Sequence, residues 1–159
     1  MQKNKRRYYL SLGSNIHPEK NMPESLRLLR KTLGRLRVSS FYETDPVGPA
    51  GRACFWNCAV TLRSSLKVSA LKRLLAALEQ AMGRRRAKRL RYRARTIDLD
   101  LLPKRGYKRQ AYVMIPLAEI APRAVAPGTK KTFARLAARF KGTPSVRRLI
   151  SRERRKGLR

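Results

Sequence analysis

The sequence is poor in acid. Nine of its 159 residues are Asp or Glu, against 40 Lys or Arg, for a net charge of +31 and a pI near 11.7. Histidine is almost missing: His17 stands alone. That argues against a zinc site, and it leaves no Ser-His-Asp or Cys-His catalysis except through His17, to which nothing else points. The two cysteines, Cys54 and Cys58, exclude a disulfide-stapled scaffold. Four residues of extended chain would hold them ~13 Å apart, too far for a bridge. No apolar run approaches the ~20 residues that span a bilayer. The apolar stretch behind the basic start Lys3 to Arg7 stops at Gly13, too short for a secretory signal. Neither G-x-x-x-x-G-K-[ST] nor G-x-G-x-x-G occurs, so a P-loop and a dinucleotide fingerprint are also absent. These absences predict a cytoplasmic single domain without a membrane partner.

What is present suffices for a core. A chain of this length can bury roughly 70% of its unfolded surface, and 42% of the residues are hydrophobic. Tyr8, Leu10 and Leu12 alternate along a strand over 7–12. Asn21 with Glu24 reads as a capping box, followed by Met22, Leu26, Leu29 and Leu33 at helical spacing, with Gly34 as the stop. A second strand is predicted over 36–42 and a third over 55–62. A loop built on Asp45-Pro46-Val47-Gly48-Pro49 lies between them. Leu71, Leu74, Leu75, Leu78 and Met82 stripe a second helix that Gly83 closes. A fourth strand is predicted over 96–102, a further extended piece over 112–117, and a short helix over 133–140. The order β-α-β-β-α-β is the ferredoxin-like arrangement, an α+β domain whose antiparallel sheet carries helices packed on it. The domain is predicted over 1–142. Residues 143–159 read as a loosely docked or disordered basic extension.

So basic a chain attracts polyanions, nucleic acid among them. Against that background Asp98-Leu99-Asp100 stands out. On a strand, residues i and i+2 share a face, so both carboxylates project together while Ile97, Leu99 and Leu101 enter the core. Paired hard oxygens suit Mg²⁺, which takes one or two carboxylates plus substrate phosphates; ion pairs with nearby arginines are the alternative. The preceding basic stretch includes Arg84, Arg86, Lys88, Arg91 and Arg95. Arginine forks and a metal together are what phosphoryl transfer uses. Phe55-Trp56-Asn57 offers an aromatic ring beside an amide, fit to hold a flat heterocycle or simply to sit in the core.

Together these residues resemble the 6-hydroxymethyl-7,8-dihydropterin pyrophosphokinase family of folate biosynthesis. Arg91-Tyr92-Arg93-Ala94-Arg95-Thr96-Ile97-Asp98-Leu99-Asp100-Leu101-Leu102 is similar to its signature at all but one position. Ser11-Leu12-Gly13-Ser14-Asn15 resembles the end of its first strand. Ser39 to Pro49 and Phe55 to Val60 resemble its pterin segment, and Pro116-Leu117-Ala118-Glu119-Ile120-Ala121-Pro122 its late element. The resemblance runs from about Tyr8 to Pro127. It implies transfer of pyrophosphate from ATP to the pterin hydroxymethyl group, with release of AMP. Two Mg²⁺ ions would sit on Asp98 and Asp100. Arg84 and Arg95 would serve catalysis with them. ATP would lie against Glu79, Arg84, Arg86, Lys88, Tyr92, Arg95 and Lys104. The pterin would be held by Thr44, the Val47 backbone, Phe55, Asn57 and Tyr112. The resemblance is with a monomer acting on small molecules.

Three departures stand out. Arg93 occupies a position where the family has a small residue. Leu102 runs straight into Pro103-Lys104-Arg105, without the roughly dozen residues that lead to a Pro-His pair in the family. Gln110 stands where an Arg is expected, two before Tyr112. The shortened segment and the basic tail support an alternative: a catalytically weakened member that binds nucleic acid non-specifically through its basic surface.

Overall fold

The computed structural model describes residues 4–45, 54–83 and 96–149. Strand β1 (Arg6–Ser14) leads into helix α1 (Pro18–Leu33), and the short strands β2 (Leu36–Val38) and β3 (Tyr42–Thr44) follow. Then come β4 (Phe55–Ser64), α2 (Val68–Ala81) and β5 (Asp98–Leu101). A 3-10 turn (Tyr107–Arg109), α3 (Ala111–Ile120), α4 (Phe133–Ala137) and β6 (Val146–Arg148) complete the described chain. These strands form one sheet ordered β5-β1-β4-β3-β6, with β2 also paired to β4. Every pairing is antiparallel, as the ferredoxin-like reading requires. No helix among the described residues is long and apolar enough to cross a membrane.

The sheet has two unlike faces. Even-numbered residues of β1 and β4, Tyr8, Leu10, Leu12, Cys58, Val60 and Leu62, form one core with Ile97, Leu99 and Leu101 against α1 and α2. Odd-numbered Tyr9 and Ala59 meet α3 and α4 on the other face, through Val113, Met114, Leu117 and Phe133. The Tyr9 and Phe133 rings meet edge to face, centroids 5.0 Å apart.

Four local expectations are corrected. Helix α1 starts at Pro18 rather than after Asn21, because proline's fixed φ suits the first helical position. His17 precedes it with a positive φ of 39°. Asn21 is therefore inside the helix and donates to the Ile16 carbonyl, while Glu24 pairs with Arg27 at 2.7 Å instead of closing a capping box. The predicted strand over 36–42 is two strands. Val38 faces Val60 but Tyr42 faces Asn57, so four steps on one strand oppose three on the other: a β-bulge. The extended piece over 112–117 is helix α3. Val113, Met114, Leu117 and Ile120 are buried on it at helical spacing, and packing overrides the β-preference of Val113 and Ile115. Finally, part of the predicted loose extension is ordered: Val146–Arg148 adds a strand beside β3. The two acids on and after β3 draw it in, since Arg147 reaches Glu43 at 2.8 Å and Asp45 at 3.5 Å.

Candidate active site

The bulge changes which face β3 presents. A one-residue shift of register turns every later side chain to the opposite face. Leu36 and Val38 therefore pack with the α1/α2 core, whereas Tyr42 and Thr44 align with Asn57 and Phe55. Those residues belong to the other face, on the stretch beyond Tyr9 and Ala59 where α3 packs. One row across the sheet reads Asp98, Gly13, Asn57, Tyr42; the next reads Asp100, Ser11, Ala59. Strand spacing is ~4.8 Å, so Asp98 and Asn57, two strands apart, lie roughly 10 Å from each other.

The pterin candidates hold one another. Asn57 and Thr44 are both buried, and the Asn57 amide donates to Thr44 Oγ1 at 2.9 Å. Between them and the aspartates lies Gly13. A Cβ there would come within 3.1 Å of Asn57 Oδ1, so glycine allows the amide to lie flat over β1. Phe55 shares the face with Thr44. Trp56 turns to the opposite side, its ring 5.8 Å from that of Phe41. Tyr112, at the start of α3, is half-buried against the second core. Near it Gln110 Oε1 is buried without a hydrogen-bond partner among the described residues.

Asp98 and Asp100 project from β5, both half-buried. Lys104 pairs with Asp100. Glu79 is buried at the end of α2, and its Oε1 accepts the Leu99 backbone N–H at 2.7 Å. β5 is the last strand of the sheet, so this carboxylate satisfies an edge donor between the two aspartates. The donor set fits a hard divalent cation: two carboxylates on one side of a strand, with a lysine already drawn to the negative charge they create. Among the described residues no group of three or more His, Cys, Asp or Glu could hold a metal, so such an ion would need oxygens from a ligand.

The remaining candidates Val47, Arg84, Arg86, Lys88, Tyr92 and Arg95 lie outside the described residues. Their flanking residues do not. Thr44 and Phe55 bracket the first segment from within the site face. Gly83 and Thr96 bracket the second, and Ser14 Oγ donates to the Thr96 carbonyl at 2.7 Å, which binds the entry to β5 to the end of β1.

Glu119 is a site-shaping residue that the sequence reading left unassigned. From α3 it accepts the Ser40 N–H at 3.0 Å and the Tyr42 hydroxyl at 2.9 Å, and Arg148 approaches at 3.3 Å. It therefore fixes the bulge that turns β3. Burial, then the bond to Glu119, pushes the Tyr42 hydroxyl up to about 12. The signal was available: an acid in so basic a chain, inside the late Pro-Leu-x-Glu-Ile-Ala-Pro element.

Comparison with known proteins bears on the family and the fold. The 2-amino-4-hydroxy-6-hydroxymethyldihydropteridine pyrophosphokinase of Bacillus subtilis is 36% identical over 129 residues, covering 70% of this chain and 76% of that protein. The protein of the same name from Methylorubrum extorquens is 35% identical over 140 residues, 77% of this chain and 87% of its own. A crystal structure of Plasmodium falciparum HPPK-DHPS superposes with a TM-score of 0.68 at 11% identity, over 87% of this chain and 42% of that chain, which shows a shared fold. The model of the 7,8-dihydro-6-hydroxymethylpterin-pyrophosphokinase family matches residues 9–122, from the strand that carries Gly13 to the helix that carries Glu119, and this chain belongs to that family.

Proposed function

We propose that this protein transfers a diphosphoryl group from ATP to the hydroxymethyl group of 6-hydroxymethyl-7,8-dihydropterin, in folate biosynthesis. The observation that carries the reading is the row Asp98, Gly13, Asn57 on one sheet face. It sets a pair of carboxylates within one substrate length of a buried amide–hydroxyl pair. Asn57 and Thr44 would hydrogen-bond the edge of the pterin ring, with Phe55 and Tyr112 against its faces and the Val47 backbone closing the edge. Mg²⁺, two ions in this reading, would rest on Asp98 and Asp100 and supply charge neutralisation at the phosphate oxygens.

The chain's own groups do the positioning. Arg84, Arg86, Lys88, Tyr92, Arg95 and Lys104 would orient ATP, and Glu79 would keep β5 in place beneath it. The hydroxymethyl oxygen forms a bond to the β-phosphorus as the bond from that phosphorus to the α–β bridging oxygen breaks. AMP leaves with the bridging oxygen, and the hydroxyl proton passes to solvent. No covalent intermediate with the protein is needed, because alignment and charge neutralisation supply the rate. Lys104 pairs with Asp100 and would turn to a phosphate oxygen once ATP and metal are bound. We place the protein in the cytoplasm as a monomer. No feature of the described site or of the comparisons favours the nucleic-acid-binding alternative.

The test is AMP release from ATP and the hydroxymethyl-dihydropterin, with Mg²⁺ and with excess chelator. Turnover that needs both the pterin and the metal supports the assignment. ATP consumption that ignores the pterin overturns it.

A further inference from the structure

We propose that a basic cavity beside the 3-10 turn is a binding site for condensed phosphate, one that none of the described pterin, metal or ATP candidates lines. The cavity encloses about 680 Å³, the scale of a small-molecule site. Arg105, Lys108, Arg109, Lys130, Lys131 and Arg139 line it, and among the described residues no carboxylate does. Between residues 104 and 149 the single acid is Glu119, which is engaged by Ser40, Tyr42 and Arg148. The cavity's positive charge therefore has no counter-charge from its own part of the chain.

The walls are built rather than incidental. Tyr107 is buried, and its hydroxyl donates to the Pro127 carbonyl. That bond ties the wall carrying Lys108 and Arg109 to the wall carrying Lys130 and Lys131. Gly106 and Gly128 take positive φ of 75° and 70° at the two turns, a conformation that favours glycine. Thr129 Oγ1 donates to the Ala126 carbonyl at 2.9 Å and accepts the Lys131 N–H at 3.0 Å, which locks the second turn. Arg139 closes the third side, with its Nη2 donating to the Lys108 carbonyl at 2.6 Å. Leu136 is the apolar residue of the lining.

The shape and chemistry select the ligand. Like charges converging in a concavity are relieved by an equally dense anion. A chain of linked phosphates carries several charges on a compact frame, and arginine forks bind its oxygens in pairs. Among the described residues no aromatic side chain lines the cavity, so they offer a nucleobase no ring to stack on. Six cations converge on one hollow, a geometry suited to a compact anion. Pyrophosphate or tripolyphosphate, free or as the tail of a nucleoside polyphosphate, meets these conditions.

The full chain is titrated with sodium tripolyphosphate at about 0.15 M salt, where distant surface charges are screened, and followed through backbone amide NMR shifts and calorimetry. Saturable shifts are expected at Gly106, Gly128 and Thr129. Affinity should fall roughly tenfold or more, about 1.4 kcal/mol or more, in Lys130→Gln/Lys131→Gln and, on the opposite wall, in Lys108→Gln/Arg109→Gln. Pterin turnover should stay within about twofold in both, which also reports that they fold. Lys72→Gln/Arg73→Gln, an equal loss of charge on α2, should leave affinity within about twofold. ATP shifting the same amides identifies the source as a nucleotide tail, and tripolyphosphate alone shifting them identifies free polyphosphate. No shift with either overturns the site. An equal loss in the α2 variant overturns it in favour of diffuse net charge. A single-stranded RNA of matched charge that binds more tightly through the same lysines overturns the choice of ligand.

Discussion

On one face of the sheet, Leu10, Leu12, Val60 and Leu62 are sealed under α1 and α2. On the other face the same strands carry Ser11, Gly13 and Asn57, with Asp98 and Asp100 beside them on β5. Helix α3 packs on the part of that second face around Tyr9 and Ala59 and reaches Tyr42 through Glu119. Both faces carry a core, and the second also carries the proposed site. Alternation along each strand lets one segment serve both, because adjacent residues never compete for the same side. Glu79 bridges the two roles: it is buried, yet its hydrogen bond goes to the backbone between the aspartates.

Substitutions on the two faces should therefore separate stability from activity. Asp98→Ala or Asp100→Ala should reduce AMP release by roughly 10²–10³-fold or more. The thermal midpoint should remain within about 3 °C, since relieving like-charge crowding costs the metal-free fold little. A variant that keeps near full turnover at saturating Mg²⁺ would break the contrast. Leu12→Ala should do the reverse. Leu12 has no exposed surface, and truncating such a residue costs about 2–5 kcal/mol. Denaturant melts should show that loss while kcat per folded molecule is retained.

Asn57→Ala and Gly13→Ala probe the boundary between the faces. Losing the Asn57 amide should weaken the pterin by about 1–3 kcal/mol and leave ATP affinity within roughly twofold. A Cβ at Gly13 has to displace Asn57 Oδ1, so the same pterin-selective loss is expected from a substitution that touches no substrate. Equal losses for both ligands in calorimetry would mean that Asn57 only braces β3 and β4. The smallest effect is expected from Tyr42→Phe, about 1–2 kcal/mol for one hydrogen bond to a carboxylate that keeps its other partners. Its signature is alkaline. Tyr42 titrates near 12 in the folded protein and near 10 when unfolded. Its contribution is thus complete below about pH 10 and is lost as pH rises through about 12. Urea melts from pH 9 to about 12 should lose less stability in Tyr42→Phe than in the parent.

Much of this molecule was legible in its residues. Alternating Tyr8, Leu10 and Leu12, the Leu71-to-Met82 stripe and the strand-helix order gave the ferredoxin-like class, because periodicity reports which side of an element meets a core. Asp98-x-Asp100 told of two carboxylates on one face for the same reason. Phe55 and Asn57 stood out by residue type and Thr44 by the family resemblance, and the structure brings these three together. Local pattern did not reveal where β3 points. Strand periodicity alone would put Tyr42 and Thr44 with Val38 in the core, and only the bulge between them, fixed from α3 by Glu119, turns them toward Asn57. Nor could sequence show that Val113 to Leu117 is helical, or that Val146–Arg148 closes the sheet against Glu43. Each depends on partners distant in the sequence, Tyr9 and Ala59 for the helix and Tyr42 to Thr44 for the strand. Burial and charge pairing across such distances are decided by the tertiary fold, whereas alternation along a single strand is decided by the chain itself.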